Sequence, residues 1–216
     1  MKYETILFDL DGTLTDPALG ITSSVAYALD FYKKPYESKK ALEIFIGPPL
    51  REQFMLYCGV DREMGEEYVA KYREYYAVKG IYENKVYEGI DTMLDTLKKE
   101  GKRIVLATSK PEKFALIVLK HFNLYKYFDF VAGALMTNTR TKKDEVIAFA
   151  LENIKNYDPK TTVMVGDRMH DVIGAAKFSI DTIGVTYGYG ARDELEDAGA
   201  KIILDSVSEL TKELLK

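Results

Sequence analysis

Acidic and hydroxyl side chains follow three short apolar runs of the sequence, at the point where each run ends. They are Asp9 and Asp11 after residues 5–8, Thr108 and Ser109 after residues 104–107, and Asp167 and Asp171 after residues 162–165. Because ligands of open α/β sheets bind outside the carboxyl ends of the strands, we expect these side chains to meet at one edge of a sheet. Four carboxylates gathered there would repel one another without a cation. Hard oxygen ligands favour Mg²⁺ or Ca²⁺ over zinc, and Mg²⁺ is the usual companion of phosphate.

Asp9 and Asp11 lie two residues apart as the first apolar run passes into a loop. Side chains alternate along a strand, so this spacing points both carboxylates the same way. Gly12 lets the backbone turn and approach a ligand closely. The alternative interpretation of these residues is a turn rich in aspartate.

Thr108 and Ser109 precede a helical pattern whose first turn suits Pro111. A helix N-terminus offers free N–H groups that attract phosphate. The alternative is that one of the two hydroxyls caps the helix and does nothing else.

Asp167 and Asp171 are four residues apart, which places both on one helix face if a helix begins here. The alternative is an acid pair that complements the helix dipole. A lysine from the pair Lys142 and Lys143, just before another helical pattern, would bring positive charge to the same place. The alternative for this pair is two solvated side chains beside acidic residues.

The elements that must position these residues are visible in the hydrophobic pattern. Apolar runs rich in β-branched residues cover residues 5–8, 104–107, 128–132, 162–165, 181–185 and 201–204. Helical spacing of apolar residues covers residues 90–99, 114–122 and 146–154. Strands that alternate with helices predict an α/β fold, with a doubly wound (Rossmann-like), mostly parallel sheet.

One segment interrupts this alternation directly after the first strand. It contains helical patterns alone, over residues 21–32, 50–58 and 63–78. We therefore predict a helical domain, residues 17–84, inserted into an α/β core formed by residues 1–16 and 85–216. Gly80 suits the C-terminal end of the last inserted helix.

Composition narrows the class of protein. The formal net charge of -4 over 216 residues argues against a nucleic-acid polymer as partner. Cys58 is the single cysteine, so no internal disulfide forms, which is typical of a reducing compartment. The N-terminal residues do not resemble a signal peptide, and no window approaches the roughly 20 apolar residues that span a bilayer. We expect a cytoplasmic protein that does not act at a membrane.

Four of these stretches together resemble the haloacid dehalogenase superfamily of phosphatases. They are DLDGT from residue 9, the strand end at Thr108, Lys143 and GDRMHD from residue 166, in family order. The helical insert resembles the cap of that family. IGPPLREQF from residue 46, VYEGI from 86, ATSKP from 107 and TYGYGARDEL from 186 are similar to the phosphoglycolate phosphatase-like branch, whose members are often described as phosphoglycolate phosphatases or 5′-nucleotidases.

The resemblance implies a role for each matching position. It makes Asp9 the nucleophile and a Mg²⁺ ligand, and Asp11 the general acid and base and a ligand through its carbonyl. Asp167 and Asp171 are implied to hold the metal. The implied phosphate site consists of Gly12, Thr13, Thr108, Ser109 and Lys143, with Lys142 as the alternative lysine and Ser109 standing where asparagine is common. Gly47, Pro48 and Arg51 of the cap are implied to set substrate specificity.

The sequence thus predicts a Mg²⁺-dependent phosphatase that acts on a small phosphorylated metabolite through an aspartyl phosphate at Asp9. Three alternatives stay open at this point. They are a sugar phosphomutase of the same superfamily, a phosphorylation-switch receiver domain and a catalytically silent phosphate-binding protein. The oligomeric state is not readable from the sequence.

Overall fold

A computed structural model describes residues 3–136 and 140–216, so residues 1–2 of the predicted core segment 1–16 lie outside the described residues. The strands of the described chain are β1 (Thr5–Phe8), β2 (Thr15–Asp16), β3 (Lys85–Val86), β4 (Arg103–Pro111), β5 (Phe130–Ala134), β6 (Thr162–Gly166), β7 (Asp181–Val185) and β8 (Ile202–Leu204). The α-helices are α1 (Ala18–Phe31), α2 (Leu50–Cys58), α3 (Arg62–Tyr76), α4 (Ile90–Lys99), α5 (Glu112–His121), α6 (Lys143–Asn153), α7 (Met169–Ala176), α8 (Arg192–Ala198) and α9 (Val207–Leu214).

Six strands form one parallel sheet in the order β5-β4-β1-β6-β7-β8, and β2 and β3 form a separate two-stranded sheet. In the large sheet, Ile6 of β1 lies opposite Ile104 of β4 on one side and Val163 of β6 on the other. Helices follow the strands of this sheet along the chain. The predicted α/β fold with a doubly wound parallel sheet is confirmed, and all six apolar runs named above contribute strands.

The hydrophobic core beside β1 fixes the strands from which the polar residues project. Leu7, Val105 and Met164 point from three neighbouring strands into one cluster with the buried residues of α6, among them Val146 and Ile147. Burial of each such side chain stabilises the fold by about 1.5–3 kcal/mol. The carboxyl ends of β1, β4 and β6 are therefore rigid supports for the side chains that follow them.

The chain divides into two compact units. Met1–Asp16 and Val86–Lys216 form the larger unit, which contains the six-stranded sheet, and Pro17–Lys85 forms the smaller one. In the smaller unit α1, α2 and α3 are accompanied by short 3₁₀ helices at Lys40–Phe45 and Gly80–Tyr82.

Aromatic residues contribute to the core of the smaller unit. The ring centroid of Phe54 lies 4.8 Å from that of Phe45 and 5.1 Å from that of Tyr68. The prediction that Gly80 ends the last inserted helix is wrong, because α3 stops at Tyr76 and Gly80 begins a 3₁₀ helix. The left-handed glycine cap belongs instead to α2, at Gly59.

Helices in the described ranges, 3–136 and 140–216, do not combine the length and the apolar character that crossing a membrane requires.

Candidate active site

Three strand ends bring carboxylates together in the larger unit. β4, β1 and β6 are neighbours in the parallel sheet, so their carboxyl ends lie on the same edge. Carboxylate oxygens of Asp9, Asp167 and Asp171 lie within 4.8 Å of one another, and all three residues are buried. Side chains that are separated by more than 150 positions in the sequence thus form one acidic cluster.

Lys143 is the cation of this cluster. Its Nζ atom lies 2.8 Å from Oδ1 of Asp9 and 2.7 Å from Oδ1 of Asp171, and it donates to the carbonyl oxygen of Ala107 at 3.0 Å. Burial acts to lower the pKa of Lys143, but Asp171 and Asp9 outweigh burial and hold this pKa above its ordinary value. The ammonium therefore stays charged. The neighbouring Lys142 is exposed, so the structure brings Lys143 and not Lys142 to the cluster.

The sequence predicted that Asp167 and Asp171 share one helix face, but the structure brings them together in a different way. α7 begins at Met169, so Asp167 lies in the loop before the helix and Asp171 in its first turn. The Asp171 carboxylate accepts the backbone N–H of Arg168 at 3.1 Å. Gly166 leaves room for this carboxylate, since a Cβ there would lie 2.2 Å from the Asp171 Cγ. The loop and the helix N-terminus, rather than helical periodicity, place the two acids together.

Burial and mutual repulsion raise the pKa values of Asp167 and Asp171. Burial raises the pKa of Asp167 well above its ordinary value, and Asp171 and Asp9 raise it further. Burial also raises the pKa of Asp171 to about 6, against the opposing effect of Lys143. Near neutral pH a cluster of this kind gains stability from a second positive charge beside Lys143.

The same residues suit a divalent cation. The ligands offered are carboxylate oxygens, the type that Mg²⁺ and Ca²⁺ prefer. Oδ1 of Asp11 is buried and has no hydrogen-bond partner among the residues that the structure describes. A site with three acids, one lysine and an unsatisfied buried oxygen fits a hard cation of charge two.

Asp11 is not one of the three residues of the acidic cluster, and its carboxylate contacts Lys110 rather than Lys143. Its Oδ2 atom lies 2.5 Å from Nζ of Lys110, and both side chains are largely buried. Burial raises the pKa of Asp11, and Lys110 opposes this effect. Lys110 is not among the site residues predicted from the sequence. The signal that could have found it is its place in ATSKP, the stretch similar to the phosphoglycolate phosphatase-like branch.

The turn after β1 is shaped around Asp167. Gly12 has φ of +85°, and a Cβ on it would lie 2.1 Å from Oδ2 of Asp167. Only glycine combines this conformation with so close an approach. The Thr13 hydroxyl donates to Oδ1 of Asp167 at 3.3 Å. The structure thus places Gly12 and Thr13, both predicted for a phosphate site, against Asp167.

Thr108 and Ser109 lie on β4, which continues to Pro111 with an irregular register after Thr108. The sequence predicted Pro111 in the first turn of a helix. In the structure α5 begins at Glu112, so Pro111 precedes the helix. Thr108 is buried, and its hydroxyl oxygen accepts the backbone N–H of Lys110 at 3.2 Å. Ser109 is half-buried.

Residues 186–190, which follow β7, also contact the site; they were noted above as part of TYGYGARDEL, but without a role. The backbone N–H of Tyr189 donates to Oδ2 of Asp167 at 2.8 Å. Residue 189 is 22 positions from Asp167. No local pattern predicts a contact over that separation, which follows from the adjacency of β6 and β7.

The three predicted specificity residues belong to the smaller unit. Gly47 has φ of +102°, and Pro48 follows it in the turn before α2. The Arg51 guanidinium lies 2.7 Å from Glu66 and 2.5 Å from Glu52. Hydrogen bonds to Glu66 and Glu52 raise the pKa of Arg51. A role of these residues in substrate selection stays a prediction.

Comparison with known families agrees with this geometry. The family described as haloacid dehalogenase-like hydrolase matches residues 6–185, a span that contains the acidic cluster, Lys110 and Lys143. This chain belongs to the haloacid dehalogenase-like hydrolase family. The family resemblance predicted from the four motifs is confirmed.

Similar members of this hydrolase family carry names that describe phosphoryl chemistry. The chain is 43% identical over 195 residues to a 5′-nucleotidase of Pseudomonas aeruginosa, covering 90% of this chain and 88% of that protein. It is 38% identical over 200 residues to tyrosine-protein kinase PtkA of Mycobacterium tuberculosis, covering 93% of this chain and 68% of that protein. A predicted phosphatase from Clostridium acetobutylicum has a structure similar to this one, with a TM-score of 0.95, 45% identity and coverage of 100% and 99% of the two chains.

The family match and the relative named as a 5′-nucleotidase confirm the predicted enzyme class. The chain is a hydrolase of the phosphatase type, and the substrates of this class are small phosphorylated compounds. A phosphorylation-switch receiver domain, one of the open alternatives, does not describe a chain that the hydrolase family matches over most of its length.

Proposed function

We propose that the chain is a Mg²⁺-dependent phosphatase that hydrolyses a small phosphate monoester through an aspartyl phosphate on Asp9. The observation that carries this proposal is the position of the Lys143 ammonium, 2.8 Å from Asp9 and 2.7 Å from Asp171. A nucleophilic carboxylate must meet an anionic phosphate, and fixed positive charge beside the nucleophile offsets the repulsion.

In the proposed first step, a carboxylate oxygen of Asp9 attacks phosphorus and the bond from phosphorus to the ester oxygen breaks. Asp11 donates a proton to the departing alcohol oxygen. Lys143 and the Thr108 hydroxyl bind the phosphoryl oxygens, with Gly12, Thr13 and Ser109 lining the same site. The covalent intermediate divides one difficult displacement into two easier ones.

In the proposed second step, a water oxygen attacks phosphorus, and Asp11 accepts the proton of that water. The bond from Asp9 to phosphorus breaks, which releases inorganic phosphate and restores the carboxylate. Asp9, Asp167 and Asp171 would hold Mg²⁺ with the carbonyl of Asp11, and the ion supplies electrostatic stabilisation of charge on the phosphoryl oxygens. Raised pKa values of Asp167 and Asp171 support a bound cation at this place.

For the substrate we propose a nucleoside 5′-monophosphate or phosphoglycolate. The first is supported by the 43% identity to the 5′-nucleotidase of Pseudomonas aeruginosa. The second is supported by the sequence stretches shared with the phosphoglycolate phosphatase-like branch. We further propose residues 17–84 as a cap and Gly47, Pro48 and Arg51 as its specificity residues. An intracellular, cytoplasmic setting is supported by the single free cysteine, Cys58.

The relative named as a tyrosine kinase supports a second candidate, in which a protein tyrosine accepts the phosphoryl group from Asp9 in place of water. A sugar phosphomutase would likewise pass it to a hydroxyl of a sugar phosphate. A silent phosphate-binding protein would not form the intermediate. The products separate these functions, because water as acceptor gives inorganic phosphate, a tyrosine gives phosphotyrosine, and a mutase gives an isomeric sugar phosphate.

The decisive experiment incubates the purified protein and Mg²⁺ with nucleoside monophosphates, phosphoglycolate and sugar phosphates, and measures inorganic phosphate. The reaction is then quenched and reduced with borohydride, which converts an aspartyl phosphate to homoserine at residue 9, detected by mass spectrometry. We expect Asp9→Asn to lose both signals and Asp197→Asn, at an exposed aspartate, to keep them. Turnover by a verified Asp9→Asn sample would remove Asp9 from the nucleophile role.

Substrate selection by Arg51 has its own comparison. Arg51→Ala should raise KM for the preferred ester without lowering kcat, because it removes a binding contact remote from the transferred group. Arg62→Ala, at an exposed arginine of the same unit, is the matched control. Equal KM values for the two variants across the substrate panel would exclude Arg51 as a specificity residue.

A further inference from the structure

The segment formed by residues 186–190, which we call the tyrosine strap, runs from the end of β7 past Asp167 to the residues before α8. Its sequence is Thr-Tyr-Gly-Tyr-Gly. At its start the backbone N–H of Thr186 donates to the carbonyl oxygen of Leu204 at 3.0 Å. The strap is thus anchored to the edge of the sheet before it reaches the acidic cluster.

The two glycines of the strap are required by space. A Cβ on Gly188 would lie 2.3 Å from the carbonyl oxygen of Gly12 and 2.5 Å from Cβ of Asp167. A Cβ on Gly190 would lie 1.8 Å from the carbonyl oxygen of Asp167. Neither glycine has a positive φ, so backbone conformation does not demand them. The strap backbone therefore lies in direct contact with Asp167 and with the turn after β1.

The two tyrosines attach the strap to the turn after β1 and to β2. The Tyr187 hydroxyl donates to the carbonyl oxygen of Thr13 at 3.0 Å. The Tyr189 hydroxyl donates to the carboxylate of Asp16. The ring of Tyr87 packs edge-on against Tyr187, with centroids 5.1 Å apart. A hydrogen bond to a charged acceptor is stronger than one between neutral groups, and the Tyr189–Asp16 bond is partly shielded from water, so it attaches the strap to β2.

Both carboxylate oxygens of Asp167 depend on this arrangement. Oδ2 accepts the backbone N–H of Tyr189 at 2.8 Å, and Oδ1 accepts the hydroxyl of Thr13 at 3.3 Å. The carbonyl oxygen of Thr13 is in turn the acceptor of Tyr187. Displacement of the strap would break the hydrogen bond from Tyr189 N–H to Oδ2 directly. It would also loosen the turn that carries Thr13, whose hydroxyl donates to Oδ1.

We propose that Tyr187 and Tyr189 are positioning residues that orient the Asp167 carboxylate for a divalent cation, acting through the strap backbone and the turn after β1. The inference rests on the proposed function in one respect, that Asp167 is a metal ligand. Hydrogen-bond partners of metal ligands fix ligand orientation, and their loss typically weakens metal binding about 10–100-fold.

The test measures Mn²⁺ binding to the purified protein without substrate, by electron paramagnetic resonance of the free ion. We expect Tyr189→Phe to raise the Kd for Mn²⁺ about 10-fold. The matched control Tyr125→Phe removes the hydroxyl of an exposed tyrosine in the same unit and should leave the Kd unchanged. Because Tyr189→Phe keeps the ring and the backbone N–H, the folded state is retained, and thermal unfolding in a chelator verifies this.

A double variant distinguishes the proposed route from general destabilisation. If the hydroxyl of Tyr189 acts through Asp16, the two substitutions interrupt the same route. The double variant Tyr189→Phe/Asp16→Asn should then have a Kd for Mn²⁺ no higher than the higher of the two single-variant Kd values. Lower thermal stability of Tyr189→Phe with an unchanged Mn²⁺ Kd would overturn the proposal, since the strap would then be merely structural. The proposal would also be overturned if the increase in Kd for the double variant equalled the product of the increases in the two single variants.

Failure of this inference is separable from failure of the proposed function. Hydrolysis of an ester by the wild-type protein, with equal Mn²⁺ affinity in wild type and Tyr189→Phe, overturns the positioning role alone. Weaker Mn²⁺ binding in Tyr189→Phe supports the positioning role even if no ester is hydrolysed, because the measurement needs no turnover.

Discussion

The Nζ atom of Lys110 lies 2.5 Å from Oδ2 of Asp11, although 99 positions separate the two residues in the sequence. Both side chains are largely buried, so each neutralises a charge that water solvates poorly. In the proposed mechanism Asp11 moves the protons, and Lys110 holds its carboxylate in place. This pair is therefore a direct target for mutation.

Lys110→Met should lower the free energy of unfolding by about 3 kcal/mol, because it leaves the Asp11 carboxyl group buried without its partner. The double variant Lys110→Met/Asp11→Asn should cost less than the sum of the two single variants, since it removes both charges. Urea denaturation of the four proteins of this cycle measures the coupling. Strictly additive effects would show that the contact contributes nothing to stability.

Lys143→Met should reduce kcat by about 10²–10³-fold, because it removes the fixed positive charge beside Asp9 and Asp171. Lys142→Met is the matched control, an identical substitution one residue earlier at an exposed side chain, and it should keep wild-type kcat. Steady-state kinetics on the best ester of the substrate panel compares them. A larger loss for Lys142→Met than for Lys143→Met would reverse the assignment.

Gly12→Ala and Gly101→Ala separate backbone strain from crowding of the site. The two glycines have φ of +85° and +74°, so backbone strain should cost each alanine variant a similar amount, about 1 kcal/mol. At Gly12 the added Cβ would meet Oδ2 of Asp167 at 2.1 Å, whereas at Gly101 it would meet no described residue within 4 Å apart from its chain neighbours. We expect Gly12→Ala alone to lose Mn²⁺ binding and phosphatase activity. Full activity in Gly12→Ala would contradict the tight fit around Asp167.

Metal binding should weaken as the pH falls through the pKa of Asp171. Burial raises this pKa to about 6, above the ordinary value of 3.8, so the folded state holds the proton more tightly than the unfolded chain does. Stability of the metal-free protein should then fall as the pH rises from about 3.8 toward 6, other groups being equal. Bound Mg²⁺ favours the ionised carboxylate and reverses this loss.

The measurement is the shift of Tm caused by saturating Mg²⁺ relative to a chelator, above and below pH 6. The shift should be large above that pH and small below it, with Mg²⁺ affinity falling about 10-fold per pH unit for each proton displaced. Asp171→Asn should flatten this dependence. A Mg²⁺ effect that is constant across the range would argue against Asp171 as part of the site.

Sequence periodicity was enough to predict the sheet, because strands buried on both faces are continuous apolar runs that differ from amphipathic helices. Residues 5–8 and 181–185 were predicted as strands with the same bounds that the structure shows. The ends of the helices were harder to predict from the sequence. Glycine occurs at many loop positions, and the pattern does not distinguish Gly59, which caps a helix, from Gly80, which begins a 3₁₀ helix.

The sequence by itself determined the family, the enzyme class and the acids at the carboxyl ends of β1 and β6, because these depend on residue types and on spacings within a few positions. Only the tertiary structure decided which of two adjacent lysines reaches Asp9, that Lys110 pairs with Asp11, and that the tyrosine strap contacts Asp167. These contacts join residues brought together by strand order, and strand order results from the packing of the whole chain. A local pattern records what a side chain can do, whereas packing decides which partner it has.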